Sequence, residues 1–412
     1  MNYSDPILRE IVRFSPLDVM LADIAVRIQL TPTDYQRAID HYNAVHEWLE
    51  REESPLFGLV EDFYTQGGFA IGATVARHAT DDEFDIDVMA QLALRADADP
   101  EAVLALLHGA ICAEPGSRYH GKADRKTRCS TVNYSGMHLD VTPAVRLVGH
   151  EPKTSFIFHS KRADKQTLFA NPHGFALWFI AATPPDEAFA RFFEKRSLDY
   201  DVACMKFMAK ADAVPVPAQM PAYRKSRAVI ALQLIKRWRN LAYDRRHKTL
   251  KRPPSVLVSY YVGQHANSTD TLTAELIHQV ESMIVVLEQA QRLGRTVYAE
   301  NPRCAEDELT DRWPCDLAEQ RVFVDELRAF AVQLHRLAKG LPLPEMQRVL
   351  EELFGERAAA DAVRAYTGQH VRDDAAGRSL HIPRKGSMPA LGSTVAAAPL
   401  VRQTPKHNFY GD

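Results

Sequence analysis

The sequence predicts an α+β fold, and two features of its patterning predict it. Up to about residue 150, short runs of alternating apolar and polar residues are separated by glycine-bearing turns and isolated helical patterns. From about residue 160 to 365, long patterns of helical period take over. Composition agrees with a packed core: of 412 residues, 46% are hydrophobic and 25% charged. At about 150 residues per domain, the length fits two or three domains.

The elements follow in order. Tyr35, Ile39, Tyr42, Val45 and Leu49 recur three or four apart, so residues 33 to 52 read as a helix, capped by Thr31 or Thr33 and stopped by Ser54-Pro55. Residues 63 to 76 are punctuated by Gly67, Gly68 and Gly72. Phe84 to Leu94 alternates as a strand, Pro100 to Cys112 reads as a helix, and Thr131 to Val148 reads as a hairpin turning at Ser135-Gly136. Asn171 opens an aromatic-rich segment. Arg224 to Asp244 carries a stripe of Ala228, Ala231, Leu232, Ile235, Trp238 and Leu241. Pro253-Pro254-Ser255 opens an apolar run to Val262, and Leu272 to Leu293, Leu317 to Leu337 and Leu343 to Ala365 each predict one helix. From about Asp373 the chain turns polar and small-residue-rich, as a disordered or loosely docked tail does. The expected division is 1–160, with N-terminal helices that pack across the lobes, 161–370 and a tail of 371–412.

Charge and cysteine content narrow the function. A net charge of -3 argues against a protein that coats nucleic acid through global basicity, leaving room only for a local basic groove. Five scattered cysteines without a C-x-x-C pair fit a reducing compartment. Asp5, Glu10, Arg13, Asp18 and Asp23 interrupt any apolar targeting segment, and no stretch reaches the roughly 18 apolar residues of a membrane span. A cytoplasmic protein with no membrane association is expected, and the N-x-S/T triplets at Asn2, Asn133 and Asn267 are read as chance. The sixteen histidines form no zinc motif.

The chemistry concentrates in residues 66 to 92. In Phe84-Asp85-Ile86-Asp87-Val88 the side chains alternate, so the apolar three face a core and both acids leave by the other face, about 6–7 Å apart. Adjacent carboxylates repel unless they are solvated or bridged by a cation, and a pair of oxygen ligands suits Mg²⁺. The plain alternative is the wet face of an edge strand. Gly67-Gly68 upstream favours the metal, because a backbone without Cβ atoms approaches a phosphate closely and the helix after it offers free N–H groups. Asp140, in His138-Leu139-Asp140-Val141, projects in the same way from a second strand. Three carboxylates can hold two metal ions, the arrangement that clamps the attacking and leaving oxygens of a phosphoryl displacement.

This order of motifs, hG[G/S] then Dh[D/E]h then hDh, resembles the polymerase-β-like nucleotidyltransferase superfamily. In detail it resembles the bacterial cGAS/DncV-like nucleotidyltransferases (CD-NTases) of CBASS anti-phage operons. The stretches that carry the resemblance are QGGFAIGATV, EFDIDVM, HLDVTPAV, NPHGFALWF, LIKRWRN, PPSVLVSYYV and NPRCAEDELTDRWP, spread over residues 60 to 330. One departure is Gly68, where many relatives carry serine. The resemblance implies a mixed-sheet nucleotidyltransferase core, an α-helical C-terminal lobe and an active-site cleft between them. It implies that Asp85, Asp87 and Asp140 are catalytic and bind two Mg²⁺ ions, with Mn²⁺ able to substitute. It implies that Gly67, Gly68, Lys236 and Ser255 bind nucleotide.

The activity so implied is condensation of ATP and other nucleoside triphosphates, with loss of pyrophosphate, into a cyclic di- or trinucleotide second messenger that activates an effector. A HORMA-type protein or ubiquitin-like ligation at the C-terminal tail (Asn408-Phe409-Tyr410-Gly411-Asp412) are the implied regulators, and Asp412 after the glycine weakens the second. Rival readings are a nucleotidyltransferase that makes linear products or modifies RNA, one that modifies protein, and a non-catalytic scaffold. Bland readings stand beside functional ones: Lys236, Arg237 and Arg239 as one wet helix face; Arg118 to Arg128 as a solvated basic loop rather than a track for the phosphates of a linear intermediate or a polynucleotide; Trp178, Trp238, Tyr260 and Tyr261 as core rather than base-stacking platforms; and Asp311-Arg312-Trp313-Pro314 as purely structural.

Overall fold

The computed structural model describes residues 14–75, 84–160, 167–209, 225–266, 270–375, 380–381 and 402–403. Seven strands make one mixed sheet. Its main path runs β1 (Val60–Gln66), β2 (Phe84–Leu92), β5 (Met137–Arg146), β4 (Ser130–Tyr134), β3 (Ala123–Arg125). The far end of β5 pairs with β6 (Ser155–Phe158), which pairs with β7 (Thr167–Ala170). Only β2 and β5 are parallel, so the chain needs a crossover between them, and the helix Pro100–Cys112 supplies part of it.

Alternation decides what each face of the sheet meets. Ile86, Val88, Leu139 and Val141 are fully buried and share a core with Val45, Leu49, Leu107 and Ile111 of the helices Pro32–Leu49 and Pro100–Cys112. Thr31 caps the first of these helices, which ends at Leu49, five residues before the expected stop. Farther along β2 and β5 the second face is covered as well, by Tyr64, Met89 and Ala144 packed together. The open part of that face is therefore short, and it is the part that carries the acids.

The helical lobe is built around Arg227–Arg246, whose residues Ala228 to Tyr243 are all buried. Trp238 stacks on Phe330, with ring centroids 4.3 Å apart. The wet-face reading of Lys236, Arg237 and Arg239 is overturned here, since all three are buried. The cations are tolerated because each aims at backbone carbonyls. Lys236 donates to Ala73 O at 2.7 Å, Arg237 to Phe354 O at 3.1 Å and Arg239 to Pro253 O at 2.8 Å.

Arg237 also marks a break that periodicity misses. The helix expected over 343–365 is two, Leu343–Phe354 and Glu356–Ala375. Gly355 sits between them at φ +99°, and the Arg237 guanidinium lies 3.0 Å from where a Cβ would stand. A left-handed residue closes the first helix, and the guanidinium satisfies one of its last carbonyls. Because Glu356–Ala375 continues past residue 371, the expected start of the tail falls inside a helix. Beyond it, Leu380–His381 pairs antiparallel with Arg402–Gln403, and Asn408 to Asp412 lie outside the described residues. Among the described residues Cys112, Cys129, Cys304 and Cys315 are free thiols, and no helix is long and apolar enough to cross a membrane.

The N-terminal helix Pro16–Ile28 packs into the helical lobe rather than onto the sheet. Its key residue is Asp18, fully buried. One carboxylate oxygen accepts from Ser15 N and Oγ, closing a capping box, and the other accepts from Thr273 N at 2.8 Å and Thr273 Oγ1 at 2.7 Å. One carboxylate thus serves the starts of two helices, where the helix dipoles favour negative charge. Asp18→Ala should lower the unfolding free energy by about 2–4 kcal/mol, because it strands buried donors, and Asp18→Asn should cost less. Urea unfolding of the two variants checks this.

Candidate active site

The site starts where β1 ends. Gln66 pairs with Asp87 across the strands, and the chain turns at Gly67 with φ +60°. A Cβ on Gly67 would lie 2.3 Å from Asp87 Oδ2. The position therefore needs glycine for both its backbone angle and its approach to the carboxylate. The helix expected after the glycine pair is a single turn, Gly67–Ala70, steadied by Phe69 stacking on Tyr35 at 5.0 Å. Gly68 O then accepts from Ala73 N at 2.8 Å.

The helical lobe grips this turn from the other side. Lys236 Nζ reaches Ala73 O, and Gln233 Nε2 donates to Thr74 O at 2.9 Å. The Lys236 ammonium stands 3.0 Å from where a Cβ on Gly68 would be, directly over the glycine pair. Ser255, first residue of the helix Ser255–Gln264, accepts from an Arg239 guanidinium N–H at 3.1 Å. Arg239 lies about one helical turn beyond Lys236, so Ser255 belongs to the same polar wall.

The acids come together as alternation requires. In the parallel register of β2 and β5, Asp87 stands opposite Asp140 and Asp85 opposite His138. The Thr131 hydroxyl, on β4, donates to Asp140. Burial, then Asp140, then Asp85 push the Asp87 carboxyl up to about 7, against Lys236 and Arg312. Lys236 responds in kind. Burial and then Arg239 bring its ammonium down to about 8, while Asp87 and Asp85 oppose the shift. Burial is the largest cause for both groups, and their neighbours' charges act in opposite senses on each.

The carboxylates line a face and do not close on a point. Among the described residues, no three acidic, histidine or cysteine side chains make a ready-made metal cage. Such a row fits Mg²⁺, which commonly takes one or two carboxylates and completes its shell with water and substrate phosphate. The raised Asp87 is the electrostatic signature of charge that a divalent cation would relieve.

The seven residues that the resemblance marks as catalytic or nucleotide-binding fall within this neighbourhood: Gly67, Gly68, Asp85, Asp87, Asp140, Lys236 and Ser255. Four others join them. Thr131 holds Asp140, and Gln233 holds the loop after the glycines. Cys129 lies beside the acids, its thiol pushed up to about 12 by burial and by Asp140 and Asp87, so it stays protonated at neutral pH. Arg312 acts on both Asp87 and Cys129. Three of the four carry no local sequence signal, because tertiary packing alone brings them in. Arg312 stands in the stretch Asp311-Arg312-Trp313-Pro314, whose Asp311 is ion-paired with Arg128 and whose Trp313 is buried.

The expected solvated basic loop holds for Arg118, Lys122 and Lys126, which are exposed, and Arg125 pairs with Glu101 at 2.6 Å. Arg128 departs from it, being buried and ion-paired with Asp311. A separate cavity of about 610 Å³, lined by His150, Tyr260, Tyr298, Glu300 and Arg303 among others, includes none of the acids.

Residues 18–181 match the Second Messenger Oligonucleotide or Dinucleotide Synthetase domain. Over 392 residues the chain is 36% identical to the cyclic dinucleotide synthase CdnG of Bradyrhizobium diazoefficiens, covering 94% of this chain and 90% of that one. The structure of CD-NTase CdnG from that organism, in complex with GTP, aligns with a TM-score of 0.72 at 33% identity, over 89% of this chain and 100% of that one. Escherichia coli MS115-1 CdnC, solved with ATP, aligns at 0.53 with 12% identity, over 82% of this chain and 96% of that one, a likeness of fold alone.

The glycine turn yields a direct test. Gly67→Ala should cost about 1 kcal/mol or more for the backbone angle, plus the collision with Asp87. Gly58, also at positive φ (+70°) but with nothing within 4 Å of a Cβ, is the control. Urea unfolding should show Gly67→Ala as the more damaging of the two.

Proposed function

The chain belongs to the bacterial cGAS/DncV-like nucleotidyltransferases, the CD-NTases, and on that footing we propose that it joins nucleoside triphosphates into a cyclic di- or trinucleotide second messenger. Its likeness to CdnG, a cyclic dinucleotide synthase, favours the dinucleotide, and the GTP in the CdnG structure favours GTP among its substrates. The observation that carries the reading is the placement of Asp87 opposite Asp140 on parallel strands, with the glycine turn pressed against Asp87.

In this reading the donor triphosphate lies along the backbone of the Gly67-Gly68 turn, where the missing Cβ atoms let Asp87 and the Lys236 ammonium come close enough to meet it. Asp85, Asp87 and Asp140 hold two Mg²⁺ ions, with Mn²⁺ able to substitute. Those ions, when bound, neutralise charge on the α-phosphate and lower the pKa of the attacking ribose hydroxyl. Thr131 fixes the direction of the Asp140 carboxylate through its hydroxyl. The ribose hydroxyl gives up its proton to water, its oxygen bonds to the α-phosphorus, the bond to the bridging oxygen breaks, and pyrophosphate leaves with the electron pair. Lys236 and the turn stay in place throughout, so most of the gain comes from positioning and preorganised charge. A second transfer closes the ring.

A role in CBASS anti-phage defence, acting through a downstream effector, is part of the same proposal, as is control by a partner protein. CdnC, similar in fold, was solved as a complex with a HORMA protein.

The test is incubation of the purified chain with labelled nucleoside triphosphates and Mg²⁺ or Mn²⁺, omitting one base at a time, beside the Asp85→Asn/Asp87→Asn double variant. Products are treated with phosphatase and resolved by mass spectrometry. A phosphatase-resistant cyclic species, absent from the double variant and lost when GTP is omitted, is expected. Linear oligomers, labelled RNA or labelled protein would replace this reading with one of its rivals.

A further inference from the structure

We propose that Arg312 holds the nucleotide that accepts the transfer, by binding its phosphate from the side of the acid row opposite the glycine turn. The proposal deepens the reading just given and rests on it.

Arg312 is exposed, yet both its neighbours are fixed. Asp311 is ion-paired with the buried Arg128. Trp313 is fully buried, edge-on to Phe323 with centroids 5.5 Å apart. Among the described residues no hydrogen bond or ion pair engages the Arg312 guanidinium. A cation held between two anchors, and left unpaired beside a row of carboxylates, is placed for a ligand. A guanidinium in that position suits two oxygens of one phosphate.

The sheet order says which ligand. Arg128 immediately precedes Cys129 and β4, where Thr131 binds Asp140. Asp311 therefore ties Arg312 to the β4 flank of the site. The glycine turn leaves from the end of β1, on the other flank. Across the sheet the row reads glycine turn and Lys236, Asp87, Asp140, Thr131, Arg312. In-line displacement puts the attacking hydroxyl and the departing pyrophosphate on opposite sides of the α-phosphorus. With the donor's triphosphate on the glycine flank, the acceptor enters on the β4 flank, where Asp311 and Trp313 hold the exposed Arg312.

Two analogues separate the roles. 2′,3′-Dideoxy-GTP has no hydroxyl to attack with and serves only as donor. Guanosine α,β-methylene triphosphate cannot release pyrophosphate and serves only as acceptor. Joining of the two is followed with Mg²⁺ for the wild-type chain, Arg312→Ala and Arg312→Lys, and guanosine is used as a phosphate-free acceptor.

Arg312→Ala should raise the acceptor KM by roughly 10- to 100-fold, the loss of one charge-assisted contact. The donor KM should move far less than the acceptor KM, the loss with guanosine should be smaller than with the triphosphate acceptor, and Arg312→Lys should recover part of the loss. A donor KM that shifts as much as the acceptor KM, an equal loss with guanosine, or no change would overturn the proposal. If the wild-type chain joins no pair of analogues, the nucleotidyl-transfer reading itself falls, before any variant is compared. Because Arg312 is exposed, the variants should keep the wild-type unfolding midpoint, which excludes misfolding as the cause.

Discussion

Three carboxylates side by side on one sheet face are the constraint around which the rest is arranged. Asp87 and Asp140 are direct neighbours across parallel strands, and Asp85 shares their face. Repulsion among them opposes folding, and burial of Asp87 deepens the cost. The sheet supports the arrangement from behind, where Ile86, Val88, Leu139 and Val141 are sealed against two helices. A one-residue slip in either strand would exchange these apolar side chains for acids, so the core that favours folding also fixes where the acids point.

The same crowding explains the coupling of the two lobes. Lys236 is buried in the central helix of the helical lobe and still serves the sheet, partly opposing Asp87 and binding the loop that follows the glycines. Gln233, one turn earlier, binds the next carbonyl of that loop. The glycine turn is thus held between Asp87 on one side and a buried helix on the other. A nucleotide with its metal ions would bring positive charge to the acids and anions to Lys236 where both lobes already meet.

Much of the site was legible because alternation in a strand is local. Phe84 to Val88 and Leu139 to Val141 show in the sequence which side chains go inward, and the acids follow by default. The register that sets Asp87 against Asp140 was not legible, since strand pairing joins residues more than fifty positions apart. Lys236 came from the family resemblance. Its own helix reads as a stripe with a wet face, yet the real helix is buried all round and its cations are spent on carbonyls. The break at Gly355 was missed because the apolar period runs on across it. β1, the hairpin of β6 and β7 and the helix Pro16–Ile28 were missed because their patterns are short or interrupted by acids. Asp18 and Asp23, which argued against a targeting segment, turn out to be buried partners of Thr273 and Arg196. Arg312 depended on tertiary packing throughout.

The central claim is that burial beside two other carboxylates makes charge on Asp87 costly to the folded chain. It is tested most directly by the stability of the chain without metal or nucleotide, in the presence of a chelator, as a function of pH, for the wild type and Asp87→Asn. The Asp87 carboxyl sits at about 7 in the folded chain and at about 3.9 in an unfolded one. Between those values the folded state binds the extra proton, so the wild type should lose stability from this group as pH rises from about 4 to 7. Asparagine carries no charge at any pH. The account predicts that Asp87→Asn is the more stable chain at pH 8 and that its advantage shrinks towards pH 5. An asparagine variant less stable than the wild type at pH 8, or a gap that does not move with pH, would contradict it.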